Sequence, residues 1–104
     1  VRFTETAAEE VKSFGIDINV IAPGPVKTKL FEDMFLQSKK ATPAIVDVRK
    51  AVELTLFLAS EKSNGLTGKF LSAVWDDLSK LSNNLDLIMK DPNVFTLRRV
   101  RGEL

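Results

Sequence analysis

The residues best suited to chemistry lie in one run, Asn19-Val-Ile-Ala-Pro-Gly-Pro-Val-Lys-Thr28. An apolar stretch that reads as a strand breaks into Pro23-Gly24-Pro25 and then offers the hydroxyl of Thr28. Gly24 has no side chain, so its backbone can approach a flat ligand closely. Pro23 and Pro25 restrict the backbone on either side and lower the entropy lost in holding one loop shape. In an open α/β sheet, ligands occupy the crevice beyond the carboxyl ends of the strands, and this loop follows such an end. The same residues also read as a plain turn, with Thr28 capping a helix that starts at Lys29. On these residues alone both readings stand.

The rest of the chain offers few reactive groups. It contains no cysteine, no histidine and no tyrosine, which removes disulfides, thiolate nucleophiles, the usual zinc ligand sets and imidazole chemistry. A reducing compartment is compatible with this, and the cytoplasm is the default expectation. Fifteen basic against 14 acidic residues leave a net charge of +1, so no global field draws nucleic acid or an anionic membrane, and neither is expected as a partner. No apolar run approaches the roughly 20 residues that span a bilayer. Asp76, Asp77 and Asp86 lack the spacing of a calcium loop and read as surface or capping residues, so no metal is expected. Arg98, Arg99 and Arg101 read as a solvated tail, with contact to a phosphate or nucleic acid as the competing interpretation.

These residues need elements to position them. Phe3, Ala7, Ala8, Val11 and Phe14 recur at helical spacing, and Gly15 stands where a left-handed cap ends that helix. No capping residue precedes the helix, an arrangement expected of a truncated parent. Residues 16–22 then read as a strand apolar on both faces, ended by Pro23. Leu30, Phe31, Met34 and Phe35 share one face of a short helix closing near Lys39 and Lys40. A longer helix opens with Thr42 as cap and Pro43 in its first turn. Its apolar stripe is Ile45, Val48, Val52, Leu56 and Ala59, broadened by Leu54, Phe57 and Leu58, and its width implies a second packing partner. Residues 69–74 alternate as a second strand, with Leu71 and Ala73 on one face. Leu78, Leu81, Leu85 and Ile88 then mark one further helix, broken at Asp91-Pro92. The order helix, strand, helix, helix, strand, helix predicts an α/β fold whose two strands are parallel. Two such strands leave open edges and uncovered faces, so the fold is expected to be incomplete on its own.

The stretch EEVKSFGIDINVIAPGPVKT resembles the segment of the short-chain dehydrogenase/reductase family that follows its catalytic tyrosine and lysine. There a helix leads into a strand ending in Asn-x-x-x-Pro-Gly-x-Val-x-Thr, matched here by Asn19, Pro23, Gly24, Val26 and Thr28. The similarity continues through the helix of residues 44–60 and the turn and strand NGLTGKFLSAV. The resemblance implies the C-terminal part of a Rossmann-type, doubly wound parallel sheet over residues 1–75, with 76–104 as a helical and then irregular extension. It also implies NAD or NADP as cofactor and a small alcohol or carbonyl compound as substrate. Pro23, Gly24, Val26 and Thr28 would bind the cofactor, Val26 through its backbone to the nicotinamide carboxamide and Thr28 through its hydroxyl to the carboxamide or the pyrophosphate. Leu30, Phe31, Met34 and Phe35 would form an apolar lid over the substrate, or else ordinary core. Residues 44–74 resemble the region through which family members pair, so a homo-oligomer is expected.

The sequence also departs from the family pattern. It has no Gly-x-x-x-Gly-x-Gly turn for the pyrophosphate and no Tyr-x-x-x-Lys pair, and Val74-Trp75-Asp76-Asp77 stands where the family often shows Asp-Gly-Gly. The chain is therefore expected to supply positioning groups for a hydride transfer and to be catalytically incomplete alone. The alternative is a non-catalytic interaction module derived from such an enzyme.

Overall fold

The computed structural model describes residues 1–26, 28–38 and 47–97, leaving aside the side chains of residues 31 and 35–38. Helix α1 (Arg2–Val11) tightens into a 3-10 turn over Lys12–Phe14 and stops at Gly15, whose φ of 71° is the left-handed cap expected there. Strand β1 (Val20–Ala22) follows and ends at Pro23. Helix α2 is Lys29–Ser38 and helix α3 is Val48–Leu58. After a 3-10 turn at Glu61–Ser63 comes strand β2 (Phe70–Ser72), then helices α4 (Leu78–Asn83) and α5 (Leu85–Lys90).

The two strands pair in parallel, with Val20 opposite Phe70, Ile21 opposite Leu71 and Ala22 opposite Ser72. The architecture is thus α/β, as the element order predicts. Both strands are shorter than their apolar patterns. Before Val20 the chain runs beside residues 65–69, but side chains carry much of the pairing. The Asn19 amide donates to the Leu66 carbonyl (2.8 Å) and accepts from the Lys69 N–H (3.1 Å), while the Thr67 hydroxyl accepts from the Ile18 N–H (2.9 Å). These bonds satisfy the backbone without extending a regular ladder.

One core sits on the Leu71 and Ala73 face of β2. Leu54 and Phe57 of α3, Leu66, Leu81 of α4 and Ile88 of α5 close it, with Ile21 packed against it. The alternation expected for residues 69–74 is therefore observed. On α3 Leu54 and Phe57 are buried, whereas Val48, Val52 and Leu56 face solvent. Residues 52 and 54 lie about 200° apart around a helix, so the flank of the expected stripe meets the sheet and the stripe itself points away. Asp47 caps α3, its carboxylate accepting from the Arg49 N–H at 2.9 Å. The expected Thr42 cap, Pro43 and Ile45 lie outside the described residues, as do Lys39 and Lys40.

The single helix read across residues 76–90 is two, because Asn84 at φ −127° interrupts it while Leu81 and Ile88 still reach the core. On α1 only Ala8 is buried; Phe3 is 83% exposed, and Phe14 in the following turn is 76% exposed. Their helical spacing is right, but no other described element covers them.

Candidate functional site

Because the strands are parallel, their carboxyl ends share one edge of the sheet, and the segments leaving β1 and β2 emerge there side by side. The Ala73 N–H donates to the Ala22 carbonyl at 2.9 Å and ties the two exits together. From the first exit run Pro23, Gly24, Pro25 and Val26. Gly24 has a φ of 82°, a conformation side-chain-bearing residues rarely adopt. Pro23 is exposed, and Gly24 through Val26 are half-buried. Thr28 is exposed directly before α2, and its carbonyl accepts the first helical bond from the Glu32 N–H at 3.0 Å. This is the position of a helix cap, as the local reading expects.

From the second exit comes a turn folded around Ser72. Its hydroxyl accepts from the Val74 and Trp75 N–H groups, both at 3.2 Å, and its own N–H donates to the Asp76 carboxylate. Asp77 caps α4, accepting from the Ser79 N–H at 2.8 Å and the Lys80 N–H at 3.4 Å. The interaction with Ser79, more than the pull of Lys80, holds the Asp77 carboxyl below its ordinary value of 3.8. Asp76 and Asp77 thus do local structural work, and Asp86 is an exposed residue in the first turn of α5. A cleft of about 540 Å³ opens between α3, this turn and α4. Charged side chains of Lys50, Glu53 and Lys80 rim it over an apolar floor of Leu54 and Ala73, with the largely exposed Trp75 at its lip.

Of the expected lid, Leu30 and Met34 are exposed on α2, while the side chains of Phe31 and Phe35 are outside the description. Arg98, Arg99 and Arg101 lie outside the described residues. Asn19 proves to be a clamp between the two strand entrances. An amide inside an apolar strand was the available signal for that role, because its two polar ends must find backbone partners.

Comparison with known proteins bears on the same residues. The profile of a family described as enoyl-(acyl carrier protein) reductase matches residues 1–73, from α1 through β2. This chain belongs to the short-chain dehydrogenase/reductase family. Among its relatives, the 3-oxoacyl-(acyl-carrier-protein) reductase FabG of Vibrio cholerae is 32% identical over 68% of this chain and 32% of its own length. The oxidoreductase UcpA of Escherichia coli is 34% identical over 65% of this chain and 31% of its own. This dehydrogenase/reductase chain therefore spans about a third of the length of the curated relatives it matches. No solved structure matches it. Among the described residues, no helix is long and apolar enough to cross a membrane, and no group of three His, Cys, Asp or Glu side chains is placed to hold a metal ion.

Gly24 and the segment around it leave open backbone at the strand exit, a surface on which a flat ring could rest. Gly24 at positive φ adds no side-chain bulk there, and the donors and acceptors of Val26 and Thr28 are neutral, a chemistry a carboxamide could pair with.

Proposed function

We propose that this chain is the C-terminal part of an NAD(P)-dependent oxidoreductase acting on a small alcohol or carbonyl compound, within a doubly wound Rossmann-type sheet. One observation carries the reading: Pro23, Gly24, Val26 and Thr28 leave the carboxyl edge of a parallel sheet beside the turn that follows its neighbouring strand. The oxidoreductase names of the relatives support the reaction class.

The nicotinamide, when bound, supplies or accepts the hydride. The chain's own residues orient it. Backbone groups of Val26 and the hydroxyl of Thr28 would hold the carboxamide and so orient the ring, and Gly24 would add no side chain against it. The exposed Leu30 and Met34 of α2, with Phe31 and Phe35 of the same helix, would supply an apolar cover that limits water at the reacting carbon. With no tyrosine among its 104 residues, the chain relies on other polypeptide for the proton donor, its lysine partner and the pyrophosphate loop. The outward faces of α1 and α3 meet further strands of the same sheet and a second subunit. A cysteine-free composition suits a reducing compartment such as the cytoplasm.

The test is a titration of the complete polypeptide carrying this chain with NADH, NADPH and ADP-ribose. Losing one hydrogen bond in Thr28→Ala removes about 1 kcal/mol, so the dinucleotide that binds weakens about fivefold while ADP-ribose is unaffected. Equal loss for both ligands, or no loss for either, overturns the placement of the loop against the nicotinamide.

A further inference from the structure

A parallel strand sends alternate residues' N–H and C=O groups to opposite edges. Toward β1, the Lys69 carbonyl accepts from Val20 and the Ala73 N–H donates to Ala22. Phe70 and Ser72 therefore turn to the outer edge of β2, where an exposed edge strand would invite another chain to pair. Here that edge is already occupied. The Phe70 N–H donates to the Phe95 carbonyl at 2.7 Å, the Ser72 N–H donates to the Asp76 carboxylate, and the Ser72 carbonyl accepts from the Asp76 N–H at 3.1 Å.

The bond from Phe70 depends on a turn that returns residues 91–95 to the start of β2, and Lys69 holds that turn. Lys69 is only 5% exposed, and its ammonium donates to the carbonyls of Asp91 and Val94, both at 3.0 Å. A buried ammonium needs such acceptors, so the turn and the lysine stabilise each other. Phe95 has a φ of 53°, a left-handed conformation rare for a bulky side chain. It is kept because the ring packs against the core while the carbonyl meets Phe70. On β1 the same alternation turns the backbone groups of Ile21 to the opposite edge, which no other described strand pairs.

We infer that residues 91–95, keyed by Lys69, seal the outer edge of β2 against strand addition by a second copy of this chain, so that the sheet grows only at β1. The seal is independent of any cofactor.

Amide hydrogen exchange and sedimentation equilibrium on the full chain test it. In the wild type, the Phe70 amide exchanges as slowly as the core amides Val20 and Ala22. Lys69→Met speeds Phe70 exchange at least about tenfold, leaves Val20 and Ala22 protected, and raises the mass above that of the wild type at equal concentration. Lys69→Arg, which keeps a cation with several donors, retains the protection. Fast Phe70 exchange in the wild type overturns the seal, as does an unchanged mass once Phe70 has opened. Should Lys69→Met unfold the sheet, the wild-type Phe70 rate and Lys69→Arg decide alone.

Discussion

Asp77 shows how one side chain does local work that its sequence neighbours foretell. It precedes a leucine-spaced helix, and in the structure its carboxylate caps α4 through Ser79 and Lys80. Because these bonds favour the charged form, its folded pKa lies below the ordinary 3.8, and the stabilisation is fully present above that value. It is lost as pH falls through the depressed folded value. Urea midpoints of wild type and Asp77→Ala should therefore differ at neutral pH and converge in acid below 3.8. A difference that persists unchanged in acid excludes the charged cap. The turn's place was legible at the same scale, since Pro23, Gly24 and Val26 follow the strand and Thr28 precedes α2. Asn19 was legible as a motif letter and as an amide that needs polar partners, but the partners themselves were not. Its partners, the Leu66 carbonyl and the Lys69 N–H, lie more than 40 positions away, and no local pattern reports such a contact.

At the scale of elements, helix and strand positions followed from periodicity, and facing did not. Helix α3 carries apolar residues around more than half its circumference, so two rotations satisfy the pattern equally well. Packing on Leu71 and Ala73 chose the rotation that buries Leu54 and Phe57. Leu54→Ala should therefore cost about 2–5 kcal/mol, whereas Val52→Ala, exposed on the expected stripe, should stay within about 0.5 kcal/mol. Chemical denaturation of both variants reads the difference, and equal losses would reverse the assignment of faces. The split between α4 and α5 has the same origin. Leu78, Leu81, Leu85 and Ile88 keep helical spacing across Asn84, so the pattern carries no trace of the break.

For the whole molecule, the balance of covered and uncovered surface dominates. Phe3 on α1 and Phe14 in the turn after it, with Val48, Val52 and Leu56 on α3, leave large side chains in water, and two parallel strands bury little of a chain this size. The proposed oxidoreductase explains this surface as contact with further sheet and a second subunit. Light scattering of the 104-residue chain should accordingly show mass rising with concentration, and Phe3→Ser combined with Phe14→Ser should reduce the rise. A constant monomer mass would sink that account of the exposed faces.

Element order, the parallel pairing, the strand end at Pro23 and the family all follow from residue types and spacings, because they depend on local propensity and on the connection between neighbouring elements. Which side of α3 meets the sheet, the clamping roles of Asn19 and Lys69, and the closure of β2 by Phe95 arose from contacts between residues distant along the chain. Such contacts satisfy buried polar groups that a linear pattern cannot pair, and the folded chain alone selects the partner.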